Sequence, residues 1–510
     1  MTGFGGQLLT VILQFIVRTV FIHTLGKEYL GINGLFSNII SVLALAELGI
    51  GSAIVFRLYK PLAEKDAQRI RVLLKFYRLA YRCIGLVILI IGLLMIPFLP
   101  KLIKNYDSLS SMGINAVLLF LLFLSNSVSS YLFLAYRSTV VIADQKRYYV
   151  DLVQNSVQIL KTIIQIVVLY VVKSFIIYTI VAVCSSIATS LINGTIAKRL
   201  YPHFFEPEEN SLSKSEIKEL FQDCGALFIY KVNNVVVKAS DNLVLSAFIG
   251  LATVGLYSNY LLLYRTSVNL INKVFTAFRA SMGNLFATEN QDSKYLFFQV
   301  SNFLSVFLFG TAAVGVAVCG NEVIETWLGA GYVLAQPVPI LIAIELFFGG
   351  VVVSLGQVRG VSGIFRQAWY RPLLGIIVNI IVSVLFVQFW GISGVILGTI
   401  AAYVLTSFLI EPSLVYKYVF NNEKPLFDYY RDYIMYMLVC IAVAAVDMFI
   451  CSRLLVGHGW LSVIVHVLIT GLSVPGAFII LFWKKKECRY LVDMVLRVLR
   501  KMFCHRLVKR

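Results

Sequence analysis

Four basic side chains lie inside apolar runs that are long enough to cross a membrane: Arg18, Lys161, Lys238 and Arg265. A charged side chain at the centre of a bilayer costs about 2.5–3.5 kcal/mol even on a lenient insertion scale, so none of these residues should face lipid. A guanidinium or ammonium group turned inward can bind an anion through charge-assisted hydrogen bonds, and a phosphate group is a typical ligand.

Amide side chains accompany the four cations at a spacing of three or four residues, which places each amide on the same helical face as its cation. They are Gln14, Gln158, Asn234 and Asn269. Neutral donors and acceptors of this kind suit the hydroxyl groups of a sugar. The eight residues together predict one hydrated, net positive central cavity walled by several spans, and we expect all eight to bind the substrate there.

Ion pairs inside the protein are an alternative role for Arg18, Lys238 and Arg265. Glu47 and Asp241 are acids within the same predicted spans and are candidate partners. Lys238 and Asp241 stand three residues apart and can neutralise each other on one helix face. The two acids are also candidates for binding a coupling ion, either H⁺ or Na⁺. The sequence leaves these alternatives open.

The composition is that of a membrane protein with many spans. Of its 510 residues, 59% are hydrophobic and 14% are charged, and the mean hydropathy is +0.84. Soluble domains are far more polar. The net charge of +18 would suit nucleic acid in a soluble protein. Here the basic residues concentrate in the loops beside the spans, so we expect anionic membrane lipids as partners and no nucleic acid.

Sequence motifs for catalysis and for metal binding are missing. The eight cysteines form no CxxC pair, and the five histidines show no metal-ligand spacing. No Walker motif, catalytic triad or carboxylate pair occurs in a fitting context. We therefore predict that the protein is not an enzyme. It should have no catalytic residue, no metal site and no cofactor beyond a coupling ion.

Hydropathy predicts an all-α polytopic membrane protein with about fourteen transmembrane helices. They cover 4–25, 31–56, 79–100, 113–136, 150–172, 175–197, 224–249, 252–278, 296–319, 333–357, 369–389, 392–415, 433–451 and 461–483. With both termini in the cytoplasm, the cytoplasmic loops and tail collect about 33 Lys and Arg residues and the opposite side five. This bias predicts that orientation.

A short repeat indicates two related halves. The motif GLFSN at 34–38 recurs as GLYSN at 255–259. Six predicted helices separate the copies, so the halves should be parallel repeats of six helices each. The predicted organisation is an N-lobe at 1–200 (TM1–6), a cytoplasmic linker at 201–223, a C-lobe at 224–418 (TM7–12), two further helices at 419–483 and a basic amphipathic cytoplasmic tail at 484–510.

Two amphipathic segments predict helices that lie in the headgroup plane of an anionic leaflet. One is 66–78, whose apolar face is Ile70, Leu73, Leu74 and Tyr77, and the other is the tail. Ser213 and Glu216 form the pattern of a capping box, which predicts that a helix begins after Ser213.

Residues 29–63 resemble the start of bacterial polysaccharide repeat-unit flippases of the Wzx type, whose superfamily includes multidrug-and-toxin extrusion transporters and lipid II flippases. Residues 240–259, the motif ASMGN at 280–284 and the motif ETWLG at 325–329 fit the same family. The resemblance implies two six-helix bundles that face a central cavity with alternating access. It also implies that the protein flips undecaprenyl-pyrophosphate-linked oligosaccharide from the inner to the outer leaflet of the bacterial cytoplasmic membrane, with Arg18 lining the cavity.

Other functions remain open beside this one. A lipid II-type flippase and a multidrug or cation antiporter would have the same fold, although the first span carries Arg18 and no acid, which disfavours a cationic substrate. A membrane glycan polymerase is a further alternative, disfavoured by the short external loops. The expected partners are the lipid-linked oligosaccharide and the glycan polymerase and glycosyltransferase machinery.

Overall fold

The apolar runs of the sequence form helices, because a backbone inside a bilayer must satisfy its hydrogen bonds within its own segment. The computed structural model describes residues 2–47, 50–104, 106–107, 109, 113–362, 364, 367–454 and 459–493. Within these ranges it does not describe the side chains at 2–11, 46, 50, 52–53, 56, 220–231, 234, 277–281, 283–284 and 287–288. Seventeen α-helices of six or more residues occur in the described part of the chain.

The chain forms two compact units, Met1–Ser258 and Asn259–Arg510. The first contains α1 (Thr2–Leu25), α2 (Lys27–Leu43), α3 (Ile50–Glu64), α4 (Ala67–Met95), α5 (Ala116–Leu132), α6 (Ser138–Ala143), α7 (Arg147–Val171), α8 (Phe175–Leu200), α9 (Lys214–Phe248) and the start of α10 (Leu251–Thr288). Short 3₁₀ segments at Ala44–Glu47 and Leu134–Arg137 interrupt two of the predicted spans.

The second unit contains the rest of α10 and the remaining helices. These are α11 (Gln291–Leu328), α12 (Val338–Ser362), α13 (Tyr370–Trp390), α14 (Ile392–Ala402), α15 (Glu411–Tyr418), α16 (Leu426–Arg453) and α17 (Trp460–Phe482). A π-helical stretch, Tyr403–Ile410, joins α14 to α15. The long helix α11 packs against α12, α16 and α17.

The prediction of an all-α, multi-pass membrane protein is confirmed. In the described residues nine helices are long and apolar enough to cross a membrane, or ten if a pair bent by 40° at Phe133 counts as one span. The prediction of fourteen spans is not confirmed by this count and stays a prediction. The predicted second span differs most, because it is divided between α2, the 3₁₀ turn and α3.

The prediction for 66–78 is wrong. This segment is the first part of α4, which continues without a break to Met95, and it is not a separate helix in the headgroup plane. Its apolar residues Ile70 and Leu73 are buried with Ile54 and Val140 in a core cluster of the first unit. Protein therefore covers the apolar face that amphipathicity alone assigned to lipid. The end of the amphipathic tail, beyond residue 493, lies outside the described residues.

The basic face of the same α4 segment holds the linker. Arg71 Nε donates to Glu208 Oε2 (3.1 Å), and Lys75 Nζ donates to the carbonyls of Glu208 (2.8 Å) and Glu209 (2.9 Å). These contacts fasten the chain between α8 and α9 along the surface of the first unit.

The predicted capping box is confirmed at the start of α9. The backbone N–H of Ser213 donates to Glu216 Oε2 (2.8 Å), and the Arg69 guanidinium donates to the other carboxylate oxygen. The Ser213 hydrogen bond and, after it, the Arg69 guanidinium lower the pKa of Glu216 from its ordinary 4.5 to about 2.

The two copies of the repeat motif lie near helix crossings that only glycine permits. A Cβ on Gly255 would lie 2.2 Å from the carbonyl oxygen of Lys27, and one on Gly31 would lie 2.0 Å from that of Leu251. Atoms this close overlap, so the start of α10 touches the start of α2 backbone to backbone. Small residues allow such close approach between helices in membranes.

We expect Gly255→Ala to destabilise the protein by about 1–3 kcal/mol, the usual effect of overpacking. Gly471→Ala is the control, because a Cβ on Gly471 meets nothing within 4 Å. That exchange should be neutral or stabilising, since alanine favours a helix. Thermal unfolding of both purified variants in one detergent measures the difference, and equal transition temperatures would contradict the close crossing.

We expect Glu216→Gln to lower thermal stability at pH 7 and to have a smaller effect in acid. The lowered pKa means that the carboxylate stabilises the folded state fully above pH 4.5 and loses this contribution as the pH falls towards 2. Thermal unfolding at pH 7 and at about pH 2.5 measures the effect, with Glu209→Gln as the control at an exposed acid. A deficit that is the same at both pH values would contradict this role of the carboxylate.

A polar cavity in the first unit

The polar face of α7 lines a cavity of about 530 Å³ within the first unit. Gln154, Gln158 and Lys161 recur at helical spacing on this face, as the sequence analysis predicts. The other walls are α5, the 3₁₀ turn after it, α6 and α8. The lining residues are Asn126, Ser130, Ala135, Ser138, Gln154, Asn155, Val157, Gln158, Lys161, Ala182, Ser185, Ser186, Thr189, Ser190 and Asn193.

Most of the lining residues are polar, since only Ala135, Val157 and Ala182 carry no polar side-chain atom. On α8 the hydroxyls of Ser185 and Thr189 donate back to carbonyls of their own helix, at 2.7 and 2.8 Å. Their oxygen lone pairs therefore remain able to accept hydrogen bonds from a ligand. Most small-molecule pockets are mainly apolar, so this cavity suits a strongly hydrated ligand.

Lys161 is the only charged residue among those that line the cavity. Its side chain is half-buried, and the described residues give it no hydrogen bond and no ion pair. An ammonium group without a neighbouring carboxylate attracts anions to the cavity. This electrostatic attraction is stronger because the group is partly removed from water. The next polar residue along the helix, Gln165, has a structural role, since its Nε2 donates to the carbonyl of Tyr178 on α8 (3.1 Å).

Arg18 lies outside the lining of this cavity, on a helix that packs against α7. Its guanidinium donates to the hydroxyl of Ser258, the serine of the second GLYSN motif. The predicted polar faces of the first and eighth spans therefore meet at these two residues. Gln14 is exposed one turn before Arg18 on α1. The first unit thus carries Gln14, Arg18, Gln158 and Lys161 on two neighbouring helices.

The other predicted site residues that the structure describes lie outside the lining of this cavity. On α9, Lys238 is exposed and Asp241 is buried, and the side chain of Asn234 lies outside the described residues. Arg265 and Asn269 are exposed on the part of α10 that belongs to the second unit. The single central cavity formed by all eight residues stays a prediction.

Glu47 occupies a polar cluster of its own. Tyr81 Oη donates to Glu47 Oε1 (3.2 Å), and Tyr131 Oη lies 3.4 Å from Oε2. A Cβ on Gly51 would lie 3.0 Å from Glu47 Oε1, so glycine leaves room for the carboxylate beside α3. This acid is held by phenol groups at the point where the second span breaks. Its role in ion coupling stays a prediction.

Sequence reasoning missed the contribution of α8. Ser186, Thr189 and Asn193 stand at a spacing of three and four residues and form one wall of the cavity. That spacing was the signal, but small polar residues are common in membrane helices and barely lower the hydropathy of the span. The stripe on α7 was detectable because it includes a charge.

Comparison with known proteins identifies the family. A family profile described as polysaccharide biosynthesis protein matches residues 3–281, more than half of the chain. The chain belongs to this family. No curated protein sequence matches this polysaccharide biosynthesis protein.

Solved structures share its fold at low sequence identity. An inward-facing multidrug resistance MATE family transporter of the MOP superfamily aligns with a TM-score of 0.62 and 13% identity, covering 80% of this chain and 94% of that one. The lipid II flippase MurJ, in an inward closed conformation, aligns with a TM-score of 0.60 and 14% identity, covering 94% of this chain and 98% of that one. A Vibrio cholerae MATE transporter variant aligns with a TM-score of 0.55 and 13% identity, covering 83% of this chain and 96% of that one.

We expect Ser186→Cys to react rapidly with a charged, water-soluble thiol reagent, because the side chain lines the polar cavity, which we expect to hold water. Ile192→Cys is the control on the same helix, at an exposed apolar position. A thiol in lipid ionises poorly and should react at least about tenfold more slowly. Both variants are made in a chain whose eight native cysteines are replaced. Equal labelling rates in intact membranes would contradict a hydrated cavity.

Proposed function

We propose that this polysaccharide biosynthesis protein is a transporter that flips undecaprenyl-pyrophosphate-linked oligosaccharide from the inner to the outer leaflet of the bacterial cytoplasmic membrane. The observation that carries the proposal is the polar cavity of the first unit, in which Lys161 is the only charged lining residue. Family membership adds independent support, since it assigns the chain to polysaccharide biosynthesis.

The cavity chemistry suits the two parts of such a substrate head. A pyrophosphate carries at least two negative charges and needs cationic donors. Lys161 supplies an ammonium group in the cavity, and Arg18, on the neighbouring helix α1, is a further candidate donor outside the cavity lining. An oligosaccharide needs many neutral donors and acceptors, and the amides and hydroxyls of α5, α7 and α8 supply these. The lipid tail can stay in the bilayer while the head crosses, so the pathway needs to accommodate only the polar part.

Transport then proceeds by alternating access, with both termini in the cytoplasm. The proposal keeps Lys238, Arg265, Asn234 and Asn269 as further substrate contacts. It keeps H⁺ or Na⁺ as the coupling ion. Partners are expected among the enzymes that build and polymerise the glycan, on the two sides of the membrane, and among anionic lipids that bind the basic loops.

A lipid II-type flippase is the second candidate, favoured by the similarity in fold to MurJ. MurJ is named as a flippase of lipid II, and the substrate proposed here is likewise carried on a lipid. A multidrug antiporter is favoured only by the fold of the MATE transporters. It fits the cavity less well, because Lys161 would repel a cationic drug and no acid lines the cavity to attract one.

We expect Lys161→Gln and Arg18→Ala each to reduce export of surface glycan by about 10–100-fold, since a hydrogen bond to a charged group is worth about 1.5–3 kcal/mol. Lys198→Gln, at an exposed basic residue at the end of α8, is the control and should retain export. The measurement is surface glycan together with lipid-linked oligosaccharide trapped in the inner leaflet.

The outcomes separate the candidate functions. Trapped lipid-linked oligosaccharide with an intact peptidoglycan supply supports the proposal. Cell lysis with unchanged surface glycan would support the lipid II-type flippase. Unchanged glycan with altered drug sensitivity would support the antiporter, and single repeat units outside the membrane would point to a polymerase.

A further inference from the structure

The last helix of the second unit carries a polar face that the proposed function does not use. Ser462, His466, Thr470 and Ser473 lie on α17 at intervals of four, four and three residues, which places them on one side of the helix. This side packs against α11 and α16. Ser462, His466 and Thr470 are at most 6% exposed, so protein and not lipid covers them.

Two acids face this polar side from the neighbouring helices. His466 Nδ1–H donates to Oε2 of Glu322 on α11 (2.7 Å), and the Ser462 hydroxyl donates to Oε1 (2.6 Å). Further along the helix, the Ser473 hydroxyl donates to Oδ2 of Asp447 on α16 (2.6 Å). Asp447 is only 2% exposed.

Two thiols also lie beside the seam, the interface of α17 with α11 and α16. Cys319 Sγ on α11 lies 3.9 Å from Thr470 Oγ1, between the two acids. Cys451 on α16 lies close enough to interact with Cys319 and Asp447. In the described part of α11, α16 and α17, no Lys or Arg makes an ion pair with Glu322 or Asp447.

The second ring nitrogen of His466 is unsatisfied. Nε2 is buried, and the described residues offer it no hydrogen-bond partner. Since Nδ1 carries the hydrogen that Glu322 accepts, Nε2 of the neutral ring bears a free lone pair. A buried polar atom without a partner is rare in native structures and needs an explanation. An ionisable residue inside the membrane is by default a sign of function.

The seam between α17 and helices α11 and α16 has two parts. Polar side chains line the first part, and aromatic rings fill the second. His466 lies about 9 Å and Ser473 about 20 Å from the start of α17, at 1.5 Å per residue. Beyond Ser473 the same helices meet through Phe303, Tyr436, Phe478 and Phe482, whose ring centroids lie 4.9–6.2 Å apart. Polar groups therefore reach into the bundle from the end that the charge bias predicts to be external, and they stop near its middle.

We propose that the Glu322–His466 pair, with Asp447 behind it, is a proton-binding site that is distinct from Glu47 and Asp241. A proton from the solution binds the lone pair of His466 Nε2 and converts the neutral imidazole into an imidazolium paired with the Glu322 carboxylate. Release is the reverse step, and no other bond changes. Imidazole changes its charge between pH 5 and pH 8. Na⁺, as a hard cation, prefers oxygen ligands, so a histidine at the centre of the site favours the proton.

Protonation changes the net charge between α11 and α17. The changed electrostatic interaction would favour one packing arrangement of the two helices over another. The assignment of a proton site does not depend on the substrate. Only its use in driving transport rests on the proposed function. Binding and transport therefore need separate measurements.

The first experiment observes protonation directly in the full-length protein. Substitution of the other four histidines by glutamine (His23→Gln, His203→Gln, His458→Gln and His505→Gln) leaves His466 as the single histidine. With ¹⁵N-labelled imidazole in lipid nanodiscs, we expect its resonances to titrate reversibly between pH 5 and pH 8.5. A ring that stays in one state over this range would overturn the proposal.

Glu322→Gln in the same background tests the pairing. Removal of a charge partner within 4 Å should move the titration to more acidic pH by about one unit or more, because a neutral amide stabilises the imidazolium less. Glu325→Gln is the matched control, an exposed acid three residues further along the same helix. A titration that Glu322→Gln leaves unchanged would refute the site. Since the single-histidine protein keeps His466, the test survives if variants of that residue do not fold.

The second experiment follows transport of a lipid-linked oligosaccharide into vesicles under an imposed pH gradient. Glu322→Gln should lose the gradient-driven stimulation by at least about fivefold, while Glu325→Gln keeps it. If the wild-type protein moves no such substrate, the proposed function fails and the titration still decides the proton site. If transport responds to the gradient equally in both variants, coupling by this site is refuted.

Discussion

The cost of placing polar groups in a lipid bilayer is the constraint on which the rest of this structure depends. A charged or hydrogen-bonding side chain within a span must face protein, water or a ligand, since lipid offers no partner. Several polar groups described above follow this rule. Arg18 reaches Ser258, Glu47 reaches two tyrosines, and Lys161 faces a cavity lined by amides and hydroxyls.

The two units solve the problem differently. In the first, a wall of amides and hydroxyls surrounds a single ammonium group and keeps about 530 Å³ of space open. In the second, the acids Glu322 and Asp447 are closely held by hydroxyls and one imidazole. An open, cationic cavity suits a bulky anion, whereas a tight acid and imidazole pair suits an ion no larger than a proton. A substrate and a driving ion need these two kinds of environment.

Charged residues made part of this arrangement predictable from the sequence. The stripe on α7 and the likeness between the halves were visible because Lys161 and the repeat motif break the apolar pattern. The hydroxyl faces of α8 and α17 were not found, since serine and threonine are common in membrane helices and carry almost no hydropathy signal. The segment 66–78 was misassigned because an amphipathic pattern says which face is apolar but not whether lipid or protein covers it. Its packing partners, Ile54 and Val140, come from other helices, so the sequence of 66–78 alone could not predict these contacts.

The aromatic rings that close the seam between α11, α16 and α17 bear on the electrical insulation of the membrane. Phe303, Phe478 and Phe482 offer no group that can relay a proton, and the Tyr436 hydroxyl lies 3.1 Å from the ammonium group of Lys485. A chain of polar side chains that ran through the whole bundle would conduct protons continuously and discharge the membrane potential, which is worth about 2.3 kcal/mol per elementary charge at 100 mV. If the site binds a proton as proposed, a seam that ends at rings would let the proton enter and leave from one end without crossing the membrane, so binding would not discharge the potential.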